Sequence, residues 1–398
     1  MDELYIPVEM YDIDYIDFET TIHELLCDIL ADDIMLYSDP DFHSNIIEDV
    51  LELYQYNKLD PETTADLIVP VMESFFDIYE DIYPRRSERN RESFHDILSI
   101  SSQIAHLQNI PQPKQRSGEW YKYRHNLMTA SNIWKAFSSE SQRNSLIYEK
   151  CKPIQIQSSE EKTNWHAGGA MQWGVLYEPI SVLIYEYKNN TKIADFGCIQ
   201  HDRYPCIGAS PDGINVDPVS PLYGRMLEIK NIVNRDITGI PKEEYWIQMQ
   251  IQMETCNLDT CDFFETRFKE YATEDDFHAD SAQEWRGVIL CFIEREMQNS
   301  KPTYHYMPFD RLHTVNEWIA ETKESVAPSL VLYTKTFWYL DEMSCVLVRR
   351  NRIWFESALP VIQDTWNTIV NERETGYEHR KAKKRVLDTP NFCLVKLE

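Results

Sequence analysis

The sequence predicts an α/β fold with helical regions at both ends, and three observations lead to this prediction. Between about residues 117 and 310, segments of helical periodicity alternate with short β-branched and aromatic runs, the order expected of a sheet flanked by helices. Before this part, apolar residues recur at helical spacing among acidic ones, and after residue 310 the pattern turns helical again. We therefore expect an acidic helical domain over 1–110, an α/β core over 111–310 and a helical extension over 311–398.

Charge separates the first of these regions from the rest. The chain of 398 residues has a formal charge of −27, which is unusual for a protein that contacts nucleic acid. Residues 1–84 hold 23 acidic residues and one basic residue, Lys58, a net of −22, whereas residues 85–398 are close to balanced at −5. The ordinary interpretation of the acidic region is a solvated helical bundle. The alternative is a partner-binding or DNA-mimicking surface that regulates the remainder.

Local signals support helices in the acidic region. Thr21-Ile22-His23-Glu24 is a capping-box pattern before an apolar run, and Ile46 to Tyr54 carry apolar residues at helical spacing. Asp60-Pro61 reads as the N-cap and first residue of a third helix, which Pro70 is expected to break or kink. The basic segment 85–91 and the Pro111-Gln112-Pro113 linker then mark the boundary with the core.

Within the core, the predicted elements alternate. The strands are expected at 195–200, 225–230, 261–268 and 287–294. The helices are expected at 119–126, 130–137, 144–151, 172–187 and 243–256, with Glu274-Asp275-Asp276 in a polar insert.

Several classes of protein are disfavoured by what the sequence lacks. Nine scattered cysteines without a CxxC pair argue against a disulfide framework, a structural zinc and an iron–sulfur site, and reduced thiols indicate an intracellular setting. Eleven dispersed histidines form no metal or nuclease motif, and no Walker-type nucleotide loop appears. The N-terminus lacks the features of a signal peptide, and no run of about 18 apolar residues predicts a membrane span.

The most informative stretch combines a rigid turn with a strand. Gly208-Ala209-Ser210-Pro211-Asp212-Gly213 would hold Asp212 in a fixed direction, and Glu228 and Lys230 project from one face of the strand that follows. Two carboxylates with the Ile229 carbonyl offer the oxygen ligands that suit Mg²⁺ or Mn²⁺, and a neighbouring lysine can act on water or on phosphate charge. Because Glu-x-Lys is common by chance, a surface ion pair is the alternative for the tripeptide alone.

Two helical segments add polar residues to this stretch. Glu178 lies in an otherwise apolar helix, where a buried carboxylate needs a metal or a salt bridge as its partner. Tyr245, Gln248 and Gln252 share one face of a helix starting after Pro241, and Gln250 points elsewhere. That polar face either lines a site or is simply solvated.

A third group precedes these residues in the chain. Arg124, four residues after Trp120, is suited to a bidentate contact with a phosphate, and Thr129 or Ser131 caps the next helix. A plain N-cap is the alternative, since Ser and Thr commonly serve that purpose.

Taken in order, these residues are similar to those of a known family. The set comprises Arg124, Thr129-Ala130-Ser131, Glu178, Ser210-Pro211-Asp212-Gly213, Glu228-x-Lys230 and Tyr245-x-x-Gln248. It resembles the lambda-exonuclease/YqaJ-type viral recombinase branch of the PD-(D/E)XK nucleases, as found in large DNA viruses, over roughly residues 117–295. The CRISPR-adaptation nucleases share this core but usually carry four cysteines for an iron–sulfur cluster, so a cluster-free relative describes this chain better.

The resemblance implies a fold, a reaction and residue roles. The core would be the restriction-endonuclease-like mixed sheet flanked by helices, and the activity a Mg²⁺- or Mn²⁺-dependent 5′→3′ exonuclease on duplex DNA ends, using two metals and no nucleotide. The alternatives are added endonuclease or RNA-degrading activity, or a non-catalytic DNA-end-binding protein. The implied roles are metal binding by Asp212, Glu228, the Ile229 carbonyl and Glu178, action on water or the transition state by Lys230, ordering of the nucleophile by Gln248 and Tyr245, and terminal-phosphate binding by Arg124, Ser131, Ser210 and the neighbouring Thr129.

The resemblance also implies partners and a location. DNA is the main partner, a single-strand annealing protein is a further one, and a homo-oligomer is expected. The long terminal regions put the family's ring trimer in doubt, so a dimer is an equal expectation. The host cytoplasm or a viral factory is the expected location. The nucleus is the alternative, because the basic run 380–385 resembles a nuclear-localisation signal. That run and Arg349-Arg350-Asn351-Arg352 are expected to contact phosphates, whereas most tryptophans nearby are expected to pack in the core.

Overall fold

The fold was described from a computed structural model, which covers residues 15–54, 61–89, 97–113, 117–154, 170–295 and 302–382. The helices are α1 (Tyr15–Asp32), α2 (Phe42–Leu53), α3 (Pro61–Ile78), α4 (Ile97–Asn109), α5 (Gly118–His125), α6 (Ala130–Ile133), α7 (Glu140–Cys151), α8 (Ala170–Asn189), α9 (Glu243–Cys256), α10 (Glu274–Ala279), α11 (Val315–Ser325) and α12 (Arg352–Thr375). Among these helices, none combines the length and apolarity needed to cross a membrane.

The strands form two sheets within the described ranges. They are β1 (Met128–Thr129), β2 (Ile193–Ala194), β3 (Ile199–Gln200), β4 (Ile207–Ala209), β5 (Gly213–Asn215), β6 (Met226–Asn231), β7 (Thr260–Glu270), β8 (Arg286–Glu294), β9 (Thr303–Tyr306) and β10 (Leu330–Arg349). The larger sheet has the order β2-β5-β6-β7-β10-β8-β9, and the smaller one β1-β4-β3. Since β6 and β7 run parallel and the other pairs of the larger sheet antiparallel, the sheet is mixed. The predicted α/β class is confirmed.

Strand β6 separates the two halves of the core because its side chains alternate between faces. Leu227 and Ile229 pack on one side with apolar residues of α8 and β7. Met226 packs on the other side, in the core that includes the apolar residues of α9. Glu228 and Lys230 share the face of Met226, so the alternation turns both toward α9.

The C-terminal region differs from its helical prediction. Helices α11 and α12 form there, but residues 330–349 form a 20-residue strand, β10, which pairs with both β7 and β8 in the interior of the sheet. The run around Phe337 and Trp338 is rich in β-branched and aromatic residues, which favour a strand. Because pairing with two neighbours supplies hydrogen bonds along its whole length, the tertiary contacts decide this element. The proposed boundaries at 110 and 310 stay predictions.

The acidic region is helical as predicted, with one local difference. Helix α3 begins at Pro61 and continues through Pro70, so Pro70 does not end it. Helix α1 buries Phe18, Ile22 and Leu26 at intervals of four residues. These side chains belong to the same apolar core as Trp246 of α9, so the acidic helices pack onto the α/β part.

Candidate active site

The loop that joins the two sheets carries the first candidate ligand. Strand β4 ends at Ala209, β5 begins at Gly213, and Ser210, Pro211 and Asp212 connect them. A side chain on Gly213 would collide with Ile193 of the adjacent strand β2. The glycine is therefore required by the close approach of two strands, which fixes the chain directly after Asp212.

Asp212 is held against β6 by a backbone contact. The N–H of Ile229 donates a hydrogen bond to Asp212 Oδ2 at 2.7 Å. The expected role of the Ile229 carbonyl as a metal ligand stays a prediction, whereas the Ile229 amide is seen to orient Asp212. The contact brings the loop carboxylate beside the strand residues Glu228 and Lys230, as the sequence predicted.

Glu228 is a buried carboxylate with three donors. Its side chain is 1% exposed and accepts hydrogen bonds from Lys230, from Gln248 Nε2 at 2.9 Å and from Gln252 Nε2 at 2.8 Å. A buried carboxylate is costly unless it is paired and hydrogen-bonded, and these donors meet that requirement. The donors leave room for a further ligand, because a carboxylate has about four lone-pair sites.

Lys230 is placed between the two carboxylates and an aromatic ring. Its Nζ lies 4.7 Å from the centre of the Tyr245 ring, which itself stacks on Phe263. Burial lowers the pKa of Lys230, but the carboxylates of Glu228 and Asp212 outweigh burial, and the net pKa is raised. The lysine is therefore a cation in this arrangement.

Asp212 experiences the opposite influence. Burial raises the pKa of Asp212 well above the usual range, and the nearby Glu228 carboxylate raises it further. The positive charge of Lys230 lowers this pKa but does not offset the other two effects. Glu178 also raises the pKa of Asp212, which places this half-buried residue of α8 within electrostatic reach of the site. Clustered carboxylates of this kind are stabilised by a cation.

The polar face of α9 is turned toward the site. Tyr245, Gln248 and Gln252 all contact residues of β6, so this face packs against Glu228 and Lys230 and is not simply solvated; that it lines a site stays a prediction. Gln252 had no role assigned from the sequence; its position seven residues after Tyr245 was the available signal. Gln250 faces elsewhere as predicted, because it bonds the backbone of Arg349 and Asn351.

A second polar cluster lies next to the first. Arg124 donates to Ser210 Oγ at 3.1 Å and to Ser131 Oγ at 3.4 Å, and its guanidinium lies 4.5 Å from the centre of the Trp120 ring. Because Ser210 is two residues before Asp212, the Cα atoms of these two residues are at most about 7 Å apart. The three residues predicted to hold a phosphate are thus brought together beside the carboxylates.

Thr129 has a different surrounding from its neighbour Ser131. It occupies the N-cap position of α6 but makes no side-chain cap bond, and it is buried beside Ser131 at 3.4 Å between their oxygens. Ser131 is exposed. Of the two, Ser131 is accessible to a ligand.

The predicted metal-ligand set includes the neighbouring carboxylates Asp212 and Glu228. Within the described part of the chain, no three His, Cys, Asp or Glu side chains lie together as a ready metal cluster. A cation at this place would need backbone or water oxygens to complete its shell, as Mg²⁺ commonly does.

The predicted basic patch at 349–352 is corrected by the structure. Arg349 pairs with Glu80 and Glu88, and Arg350 pairs with Glu254. These two guanidiniums are engaged by carboxylates of distant segments and so brace the fold, whereas Arg352 pairs with the exposed Asp259 and is itself exposed. Trp338 and Trp354 are buried, as expected of core residues. Residues 383–385 of the second basic run lie outside the described residues.

The residues just described fall within a segment that a family model matches. Residues 119–259 match the YqaJ-like viral recombinase domain. After this match, residues 119–259 are called the YqaJ-like domain. The YqaJ-like domain spans Arg124 through Gln252, so it contains both polar clusters, and the family resemblance inferred from the ordered motifs is confirmed.

Similarity to other proteins extends beyond the YqaJ-like domain. The uncharacterized protein R354 of Acanthamoeba polyphaga mimivirus is 27% identical over 341 residues, which cover 74% of this chain and 60% of the relative. The chain thus spans about three fifths of that relative's length.

Two solved structures are more distant. The alkaline exonuclease LHK-Exo from Laribacter hongkongensis is 18% identical with a TM-score of 0.36, covering 66% of this chain and 95% of its own. A phage-related exonuclease from Haemophilus somnus 129PT is 14% identical with a TM-score of 0.35, covering 64% and 97%.

Proposed function

We propose that this chain is a divalent-metal-dependent nuclease that degrades duplex DNA from its 5′ ends. The observation that carries the proposal is the buried Glu228, which accepts hydrogen bonds from Lys230, Gln248 and Gln252. It lies near Asp212 within the segment that matches the YqaJ-like family. A surface ion pair would not be buried in this way. The relatives named as exonucleases are consistent with this class of reaction.

The donor set fits a hard divalent cation. Asp212 and Glu228 supply carboxylate oxygens whose mutual repulsion a cation would relieve, and the Ile229 carbonyl directly follows Glu228 in the chain. A bound Mg²⁺ or Mn²⁺ would supply Lewis-acid activation of water and phosphate. We assign Glu178 to a second ion or its waters, a role supported by the electrostatic effect that Glu178 has on Asp212.

The protein groups then have separate tasks. Gln248 and Gln252 each donate to a different oxygen of Glu228, so they would keep its carboxylate in one orientation. Lys230, steadied by the Tyr245 ring, donates hydrogen bonds and offsets negative charge that develops on the scissile phosphate. Orientation of this kind is how a rigid site lowers a barrier without reorganising during the reaction.

The second cluster would select the end of the DNA. Arg124, Ser131 and Ser210 present a guanidinium and two hydroxyls, which match the oxygens of a terminal phosphate. Thr129, being buried, would position Ser131. Binding a 5′-phosphate there places the adjacent phosphodiester next to Asp212, which favours removal of nucleotides from the 5′ end. A role in viral DNA recombination, a homo-oligomer and an annealing partner remain predictions.

End-labelled DNA tests this proposal directly. Linear duplex with a 5′-phosphate is incubated with Mg²⁺, Mn²⁺ or EDTA, alongside closed-circular DNA and RNA. We expect metal-dependent release of 5′-mononucleotides from the linear duplex, and at least about a 100-fold lower rate for Asp212→Asn. Thermal melting of the variant confirms that it is folded. Binding without cleavage, or an unchanged rate for the folded Asp212→Asn variant, would contradict the proposal.

A further inference from the structure

A buried lysine lies directly behind the Arg124 cluster. Lys150 of α7 is 4% exposed, and its Nζ donates a hydrogen bond to the backbone carbonyl of Arg124 at 2.9 Å. The lysine therefore contacts the main chain that carries the phosphate-facing guanidinium. Fully buried lysines are rare, because burial of an ammonium without a carboxylate partner is unfavourable.

A third cation completes this arrangement from outside the YqaJ-like domain. Arg373 of α12 donates to the Lys150 carbonyl from Nε at 3.0 Å and from Nη2 at 2.9 Å, and Nη2 also donates to the His125 carbonyl at 2.9 Å. Its guanidinium stacks on the Trp366 ring at 5.4 Å. The C-terminal helix thus braces both α7 and the end of α5, the helix that bears Arg124.

The charges around Lys150 are predominantly positive. Burial lowers its pKa to about 8, and Arg124 and Arg373 act in the same direction, against Glu149 and the Cys198 thiol. His125 also lies within electrostatic reach of the lysine. Glu149, the carboxylate among these groups, is itself engaged by Lys135 at 3.5 Å and by Asn132 at 3.3 Å. This leaves a cationic region that an anion bound at Arg124 would stabilise.

We propose that Lys150 is a positioning residue for the terminal phosphate, holding the Arg124 backbone from behind and adding a buried positive charge that favours phosphorylated over hydroxyl 5′ ends. The inference deepens the proposed function and rests on its phosphate cluster. Lys150 acts through Arg124 and does not touch the DNA, since it is buried under that residue.

The charge of Lys150 gives the preference a pH dependence. The second pKa of a terminal phosphate is about 6, so this group is fully charged from pH 7 upward, and an arginine stays protonated throughout. Lys150, with a pKa lowered to about 8, loses its proton as the pH rises through that value. The preference for phosphate ends should therefore weaken between pH 7 and about pH 9.5.

Binding measured without metal separates this inference from cleavage. Fluorescence anisotropy in EDTA compares duplexes with a 5′-phosphate and a 5′-hydroxyl at pH 7, 8 and 9.5. Wild type should prefer phosphate ends about tenfold at pH 7 and less at higher pH. Lys150→Met should reduce the preference several-fold and remove its pH dependence. Lys150→Arg should retain the preference for phosphate ends at pH 9.5. Lys122 is an exposed lysine of α5, and Lys122→Met should behave as wild type.

Different results would reject the inference about Lys150 and the proposed nuclease function. An equal loss of affinity for both end types in Lys150→Met indicates a purely structural role and rejects the inference. Wild type without any phosphate preference also rejects it. Where melting shows that Lys150→Met is unfolded, the pH dependence of wild type against Lys150→Arg decides. A chain that binds phosphate ends with this pH dependence but cleaves no DNA refutes the proposed function and leaves the inference standing.

Discussion

The acidic helices and the candidate site both concentrate carboxylates, but they treat them in opposite ways. In α1, Glu24, Asp28 and Asp32 are exposed at intervals of four residues, opposite the buried Ile22 and Leu26. In the site, Glu228 is fully buried and receives three donors. Exposed and buried carboxylates contribute equally to the net charge of the chain, so the net charge does not distinguish the two regions. The difference shows that the burial of a carboxylate and its donors, more than its number, indicate chemistry.

The two regions are also joined through one arginine. Arg86 is buried and donates to the carbonyls of Tyr37 at 2.9 Å, Ser38 at 3.0 Å and Pro241 at 2.8 Å. Its own carbonyl accepts from Trp246 Nε1 at 2.9 Å. Because Trp246 is in α9, the acidic region supports the start of the helix that orients Glu228. This contact gives the region a structural task, whatever its effect on DNA.

Removing the buried charge of Glu228 should have the largest effect. Glu228→Gln keeps the size of the side chain but loses one of two adjacent negative charges. We expect cleavage of linear DNA to fall by about 100-fold or more, as for lost metal-site interactions. The melting temperature in EDTA should fall, because an NH2 group cannot accept from the donors that face both Glu228 oxygens and Lys230 loses its ion pair. Near-normal cleavage by the folded variant would show that the buried carboxylate is structural.

Breaking the contact between the regions should have an intermediate effect. Arg86→Met leaves three buried carbonyls without their donor, and we expect urea unfolding to show a loss of about 2–4 kcal/mol. Arg85→Met is the matched control, because Arg85 pairs with the exposed Glu73 and Asp77 and should cost less than about 1 kcal/mol. Equal losses for the two variants would mean that the acidic region is not anchored through Arg86.

Neutralising the exposed carboxylates should have the smallest effect. In the triple variant Glu24→Gln, Asp28→Asn, Asp32→Asn, like charges spaced by four residues disappear, so stability should change by no more than about 0.5 kcal/mol. DNA cleavage should stay within about twofold of wild type at low and moderate salt. A several-fold rise at low salt alone would instead support the view that the acidic surface competes with DNA.

The observed elements show which features of the fold could be predicted from the sequence. The helix predicted over 243–256 was found with those bounds, and the directions of Gln248 and Gln250 followed from helical periodicity. Helical and strand periodicity are local properties, so they survive without knowledge of the fold. The 20-residue strand β10 was missed because its stability comes from pairing with β7 and β8, whose paired residues are 36 to 89 positions away in sequence.

Charged residues were the least predictable. Arg349 and Arg350 appeared as a basic patch, yet their partners Glu80 and Glu254 come from distant segments. Lys150 gave no signal at all, because an isolated lysine in a helix is ordinarily exposed. The sequence gives the charge of a side chain, but its ion-pair partner depends on which residues the fold brings close to it.

By itself, the sequence determined which residue types stand at which spacing: Asp212 on a rigid turn, Glu228 and Lys230 on one face of a strand, and Gln248 and Gln252 on one face of a helix. Backbone geometry converts such spacing into a shared direction, which is why the site residues could be named. Only the tertiary structure decided that these faces meet, that Glu228 is buried and that Lys150 and Arg373 stand behind Arg124. Burial and pairing depend on contacts between remote segments, and periodicity contains no information about them.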